Sequence, residues 1–271
     1  MKTLFVFEGA KREPAIFRTL ESVFFKKSER IVCVYGTSFL DLYKRMRSTD
    51  FELDIVSILR EKFQDREESP FTSEDKVSDF AQVFLFFDYD CQQIDVHDEK
   101  ALAVFNGQLR ELLDYFDDET EHGKLYINYP MSEAIRYTKA LPDEGYASYT
   151  VSLDRCADFK SMAHDFSYYG SLDFIVAHKC PTHDELRAIA NNWVMLVEQN
   201  LSKACKITDK WNVAGSKTMV DQRVIFDTEV AKFILPQSNL SILAAFPLFL
   251  NDYFAEGALI HNLLNEHAER E

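Results

Sequence analysis

The sequence predicts an α/β fold in which parallel strands alternate with helices, followed by a mostly helical C-terminal region. Through the first half of the 271-residue chain, short apolar runs alternate with segments of helical periodicity. Hydrophobic residues make up 46% of the sequence, which is enough for a packed core. Near residue 140 prolines and glycines become frequent, and the later segments have mostly helical spacing. Alternating strands and helices favour a parallel sheet joined by crossover helices.

Each element of the first half has its own pattern. The apolar or β-branched runs that predict strands span residues 3–7, 31–35, 82–87 and 124–128. The segments with apolar residues at helical spacing span 13–26, 38–47, 52–63 and 98–116. Pro14 is acceptable in the first turn of the first helix. The polar segment 64–79 is expected to be a loop. Residues 1–140 are therefore predicted to form a domain built on four parallel strands.

Residues 141–271 are expected to form a second, mostly helical subdomain with little strand. A loop-rich stretch comes first, and the predicted helices then span 183–204, 219–234 and 238–266. The last of them carries an apolar stripe that would pack either internally or against a partner, formed by Leu259, Ile260, Leu263 and Leu264.

Composition restricts the classes of function. The longest nearly unbroken apolar stretch, Ile242 to Leu250, is too short to cross a bilayer, so no contact with a membrane is expected. The five cysteines are scattered without a paired motif, as is typical of a cytoplasmic protein. The net charge of −15 argues against a protein that binds duplex DNA tightly on its own. It is compatible with an enzyme whose acidic site holds a metal ion, or with one that a partner brings to its substrate.

Carboxylates follow two of the predicted strands directly. Glu8 comes after the first strand, and Asp88 and Asp90 come after the third. Because the carboxyl ends of parallel strands share one edge of the sheet, where ligands gather, these side chains are expected to form one acidic site. Oxygen ligands suit Mg²⁺ or Mn²⁺, and Glu8 could bind the metal or act as a general base. The alternative is that the acids only cap strand ends and solvate loops.

Gly9 and Lys11, which follow Glu8 closely in the sequence, have properties that suit phosphate binding. Gly9 would let the backbone turn sharply and approach a phosphate closely. Lys11 could meet a substrate phosphate or steady a leaving oxyanion, and its alternative is a solvated helix start.

These residues carry a resemblance to a known family. Glu8-Gly9 after the first strand, followed by Lys11-Arg12-Glu13-Pro14 and Phe17, resembles the opening of RloB-like proteins. Those proteins belong to the TOPRIM group, which includes topoisomerases, primases and nucleases of the OLD family. Asp88-Tyr89-Asp90 resembles the Asp-x-Asp motif of the group. The resemblance covers about residues 1–140 and implies a four-stranded parallel sheet flanked by helices, with Mg²⁺-dependent chemistry on phosphodiester bonds.

The resemblance implies roles for individual residues. Glu8 would be the general acid or base, while Asp88 and Asp90 would bind metal, with Glu8 as a further metal ligand. RloB-like and OLD-type proteins also place a glutamate in an Asn-Pro-x-x-Glu-like turn, which makes Glu133 a candidate metal ligand. Here Asn128-Tyr129-Pro130 departs from that turn by one residue. The alternative for Glu133 is a favourable charge in the first turn of a helix.

The resemblance favours a nuclease, because the chain has no evident counterpart of the DNA-gripping domains of topoisomerases or the accessory parts of primases. Small TOPRIM nucleases resemble effectors of antiphage defence that work beside an ATPase. The expected function is divalent-metal-dependent hydrolysis of DNA or RNA, tRNA included, under control of a partner ATPase, with a homo-oligomer as a further option. The second hypothesis is a TOPRIM scaffold that binds partners within a defence complex and cuts nothing.

Overall fold

The first half of the chain folds into a five-stranded sheet with the order β2-β1-β3-β5-β4. In this computed structural model the described residues are 2–25, 30–64, 70–72, 74–210 and 220–254. The strands are β1 (Lys2–Phe7), β2 (Arg30–Val34), β3 (Phe80–Asp88), β4 (Asp117–Asp118) and β5 (Gly123–Asn128). The four longer strands are parallel, and β4 pairs antiparallel with β5 at the edge. The predicted α/β class and the four predicted strands are confirmed, while β4 was not predicted.

Helices cover both faces of this sheet. They are α1 (Arg12–Val23), α2 (Phe39–Ser48), α3 (Ile55–Phe63) and α4 (Glu99–Tyr115), each close to its predicted span. On one face, the ring of Phe17 in α1 packs 4.1 Å from that of Phe5 in β1. On the other face, the ring of Phe39 in α2 lies 5.0 Å from that of Phe105 in α4. The central strands are therefore buried on both sides, which explains why their sequences are apolar throughout rather than alternating.

The second half contains more strand than expected. Its elements are β6 (Thr150–Ser152), α5 (Phe159–Phe166), α6 (His183–Thr208), α7 (Gln222–Thr228), a π-helix (Glu229–Ile234), α8 (Leu235–Gln237), β7 (Asn239–Ser241) and α9 (Ala245–Tyr253). The helical character of this region is confirmed, and α6 matches its prediction closely. The strands β6 and β7 form a separate antiparallel pair, and α5 lies in a stretch that was expected to be a loop.

The helix predicted over 238–266 is wrong at its start. Ser238 has a left-handed backbone with φ of 50°, which ends α8, and β7 follows it. Pairing of β7 with β6 overrides the apolar spacing of the local sequence, and α9 begins only at Ala245. Residues 255–271, with the predicted apolar stripe at Leu259, Ile260, Leu263 and Leu264, lie outside the described residues.

The second half packs onto one face of the large sheet. Phe246 and Phe249 of α9 place their rings 4.7 Å from Phe86 and 5.0 Å from Phe84 of β3. A single hydrophobic cluster contains buried residues from both halves of the chain. Within the described ranges, no helix is long and apolar enough to cross a membrane.

Two buried ionisable residues lie inside the second half. Lys203 of α6 and Glu229 of the π-helix both have fully buried side chains. The ammonium group of Lys203 donates to the carbonyl oxygen of Tyr149 at 2.6 Å, and the amide of Ser241 donates to Oε2 of Glu229 at 2.9 Å. Burial lowers the pKa of Lys203 to about 7 and raises the pKa of Glu229 to about 8, although the two charges attract each other. The cost of desolvation thus exceeds the attraction for both groups.

Replacing Glu229 with Gln is expected to change how stability depends on pH. Between pH 4.5 and 8 the folded chain keeps a proton on Glu229 that the unfolded chain has lost, so this residue makes the wild type less stable as pH rises. The variant lacks this pH-dependent contribution, because Gln does not titrate. The free energy of unfolding of the wild type should therefore fall relative to the variant across this window, by at most about 1.4 kcal/mol per pH unit. Urea unfolding at several pH values measures the difference.

The exposed Glu144 provides the matched control, since Glu144→Gln removes the same charge from the surface. Its unfolding free energy should follow that of the wild type at every pH. A parallel course for wild type and Glu229→Gln between pH 5 and 8 would contradict the assignment of a raised pKa to Glu229.

Candidate functional site

Glu8 and Asp88 are in contact at the carboxyl edge of the sheet. Glu8 follows β1 directly, and its amide donates to the carbonyl oxygen of Phe86 in β3 at 3.1 Å. Its carboxylate reaches across to the end of β3, where Oε2 accepts a hydrogen bond from the amide of Asp88 at 3.0 Å. The parallel pairing of β1 with β3 therefore brings together two residues that are 80 positions apart in the sequence.

Asn128, at the end of β5, holds the carboxylate of Asp88. The two residues are register partners on neighbouring parallel strands. The amide nitrogen Nδ2 of Asn128 donates to Oδ1 of Asp88 at 2.9 Å, and its Oδ1 accepts from the backbone amide of Ala245 at 2.8 Å. The backbone of Ser132 also hydrogen-bonds Asp88. Asn128 thus links the acidic site to the beginning of α9. Sequence analysis used this residue only as part of a turn motif.

Glu13 is a further carboxylate at the site that sequence analysis did not select as a site residue. It lies in the first turn of α1 and is buried, and its Oε1 accepts from the amide of Gly9 at 3.2 Å. A Cβ atom at position 9 would lie 2.5 Å from Oε2 of Glu13, so this glycine makes room for the carboxylate. The sequence did carry a signal, because the first turn of a helix that follows β1 lies beside the residues that end β1.

Burial disfavours the charge of all three carboxylates, and neighbouring acids add to this effect. Burial raises the pKa of Glu8 to about 8, and the charges of Asp90 and Glu13 add to the rise, while the hydrogen bond from Asp88 opposes it. Burial also raises the pKa of Asp88 well above its usual range, with further contributions from the charges of Glu8 and Glu13. Burial raises the pKa of Glu13 as well. This is the electrostatic pattern of a site that would gain stability from a bound cation.

Asp90 lies at the edge of this cluster. It caps a short 3₁₀-helix at Cys91–Gln93, and its carboxylate accepts hydrogen bonds from the backbone and the side chain of Gln92. Its charge acts on Glu8. Its predicted role as a metal ligand remains a prediction.

Glu133 and Lys11 occupy different surroundings. Glu133 is buried in the 3₁₀-helix Ser132–Arg136, and its Oε1 forms an ion pair with Arg12. Its charge also acts on Glu13, so it adjoins the acidic site through that residue. Lys11 is exposed at the residue that precedes α1. The predicted roles of Glu133 in metal binding, and of Lys11 and Gly9 in phosphate binding, remain predictions.

The donors at this edge suit a small divalent cation. In the described part of the chain, no three His, Cys, Asp or Glu side chains are grouped so that they could hold a metal ion together. A pair of carboxylates is nevertheless what proteins commonly offer Mg²⁺, which keeps several waters and takes further oxygens from substrate phosphates. Glu8 and Asp88 would offer such a pair, and burial raises the pKa of both.

Comparisons of the chain with models of protein families, with curated proteins and with solved structures find no match.

Changing Asp88 to Asn should stabilise the protein when divalent metal is absent. At pH 7.5 the folded state either keeps a proton on Asp88 or holds a buried charge, whereas the unfolded chain ionises freely. Asn removes this penalty and can still accept from Asn128. We expect the free energy of unfolding to rise by about 1–3 kcal/mol in urea titrations with EDTA present.

Asp143 provides a control with the opposite sign. Although burial acts against its charge, the amides of Lys139 and Gly145 and two hydroxyl groups donate to its carboxylate, and the pKa of Asp143 is lowered. Asp143→Asn should therefore lose about 1–3 kcal/mol. If both substitutions destabilised the protein by a similar amount, the folded state would not disfavour the ionised carboxylate of Asp88, and the assignment of a raised pKa to Asp88 would be wrong.

Proposed function

We propose that this chain is a divalent-metal-dependent nuclease that hydrolyses phosphodiester bonds at the edge formed by Glu8 and Asp88. The observation that carries the proposal is the contact between these residues at the ends of neighbouring parallel strands, with the pKa of both raised. Bound Mg²⁺ or Mn²⁺ would supply a Lewis acid for the phosphate and lower the pKa of an attacking water.

The side chains at the site have separate tasks in this proposal. Glu8, with a pKa of about 8, exchanges protons near neutral pH and serves as the general acid or base. Asp88 is oriented by Asn128 and contributes oxygen ligands. Glu13 closes the site from the side of α1, where the amide of Gly9 fixes it. The ion pair between Arg12 and Glu133 holds the turn after β5 against the start of α1.

The resemblance to the TOPRIM group, and to RloB-like and OLD-type nucleases within it, extends this proposal. This extension is supported by the order of the two motifs, Glu8-Gly9 and Asp88-Tyr89-Asp90, along the chain. It is also supported by their position at the ends of the neighbouring strands β1 and β3. We propose on this basis a cytoplasmic effector of antiphage defence that acts on DNA or RNA, tRNA included, under the control of a partner ATPase. The net charge of −15 is consistent with a nuclease that depends on a partner to reach its substrate.

Replacing Glu8 with Gln tests the proposed activity. Gln keeps the oxygen that accepts from Asp88 but cannot transfer a proton, so the fold should persist while cleavage falls by at least about 100-fold. The assay incubates the purified protein with single-stranded DNA, duplex DNA and tRNA in the presence of Mn²⁺, and resolves the products on denaturing gels.

The exposed Glu121 provides a matched control, and Glu121→Gln should cleave as the wild type does. Cleavage by Glu8→Gln at the wild-type rate would remove Glu8 from the mechanism. EDTA should abolish the activity of the wild type and of the control variant.

An interaction subunit without catalytic activity is the second candidate function. It is favoured by the absence, within the described residues, of a group of three or more side chains that could hold a metal ion together. It is also favoured by the hydrogen bonds that fix Asp90 within its own turn. If every substrate remained intact with Mn²⁺, both before and after addition of the partner ATPase, this second function would be the better account.

A further inference from the structure

A groove lies between α1 and the segment 176–181, which precedes α6. Its volume is about 380 Å³, and the residues that line it are Ala15, Arg18, Thr19, Ser22, Val176, Ala177, His178, Lys179 and Pro181. The carboxylate site does not include any of these residues. The groove is therefore a separate concave surface that shares α1 with the site.

Hydrogen bonds hold the wall of the groove opposite α1. The amide of Ala177 donates to Oγ1 of Thr19 at 3.0 Å, which ties the segment to α1. Just before it, the indole of Trp193 donates to the carbonyl oxygen of Ile175 at 3.0 Å. The amide of His178 donates to Oε1 of Glu185 at 3.1 Å. Because both walls are fixed, the groove exists before any ligand binds.

The polar lining of the groove is positively charged, in contrast to the whole chain. Arg18 and Lys179 are exposed, and neither forms an ion pair with another of the described residues. His178 is also exposed, and its hydrogen bond with Glu185 and the charge of that residue raise its pKa, so any positive charge on His178 is balanced by the Glu185 carboxylate. In a chain of net charge −15, two unpaired cations on one groove favour an anionic ligand.

The groove lies along α1, whose first turn contributes Glu13 to the carboxylate site. Ala15, Arg18 and Ser22 recur at intervals of three or four residues and therefore lie on one face of the helix. Arg18 lies about 8 Å along the axis from Glu13 of the carboxylate site, given a rise of about 1.5 Å per residue. Lys11 is exposed at the residue that precedes the helix, three positions after Glu8. A ligand with several regularly spaced phosphates could thus contact the groove, Lys11 and the carboxylates together.

We propose that this groove binds the phosphate backbone of a single-stranded nucleic acid, a few nucleotides from the bond that the carboxylate site cleaves. The inference rests on the proposed function, since it supplies the substrate contact that the acidic site lacks. A single strand fits better than a duplex, because two cations in a narrow groove can follow one backbone but offer no broad basic face.

Binding to a fluorescein-labelled oligothymidylate, measured by fluorescence anisotropy in EDTA, tests the groove without any cleavage. The double variant Arg18→Ala/Lys179→Ala should bind about 10-fold more weakly than the wild type at low salt. The slope of log Kd against log salt should fall by about 1.4, since each lost phosphate contact on a single strand removes about 0.7. Both residues are exposed, and thermal melting checks that the variant is folded.

Lys44→Ala/Lys100→Ala is the matched control, because it removes two exposed cations from α2 and α4. It should bind with the affinity and salt slope of the wild type. If both double variants lost the same amount of affinity, the proposal that the groove binds nucleic acid would be wrong. It would also be wrong if the wild type did not bind the probe.

The two proposals can fail separately. If binding depends on Arg18 and Lys179 while no substrate is cut with Mn²⁺, the groove is supported and the nuclease proposal fails. If Mn²⁺-dependent cleavage occurs while the groove variant binds as the wild type does, the nuclease proposal is supported and the proposed binding role of the groove fails.

Discussion

Two acidic residues, Glu8 and Asp88, are in contact at the ends of neighbouring strands of the sheet, and the proposed chemistry depends on this contact. The parallel pairing of β1 with β3 places Glu8 against the backbone of Asp88, and burial raises the pKa of both side chains. A fold selected for stability alone would not keep acids at this position, because burial opposes the ionisation of both and the charge of Glu8 further opposes that of Asp88. Buried acids with raised pKa values are typical of a functional site, where a bound ligand can supply a compensating positive charge.

Asn128 connects these acidic residues to the second half of the chain. Its side chain donates to Asp88 and accepts from the first residue of α9, whose rings pack on the same sheet. The beginning of α9 and the proposed metal ligand Asp88 therefore share one hydrogen-bonding side chain. Under the proposed function, a partner that binds the second half could act on the site through this contact.

The sequence was sufficient to predict what depends on local pattern. The four parallel strands, the helices α1 to α4 and the meeting of Glu8 with Asp88 follow from apolar runs and from the rule that strand ends share an edge. What depends on contacts between distant segments could not be predicted. The strand β7 exists because β6 pairs with it, and Glu13 joins the site because Gly9 leaves room for its carboxylate. The role of Asn128 requires knowledge of where α9 begins.

A crystal structure of the protein soaked in Mn²⁺ tests the central claim most directly. We expect anomalous difference density for one ion at the sheet edge, within about 2.0–2.6 Å of oxygen atoms of both Glu8 and Asp88. The same soak of Asp88→Asn crystals should show this density lost or strongly reduced. Density confined to other surface acids in the wild type, with the Glu8 and Asp88 carboxylates free of metal, would contradict the account.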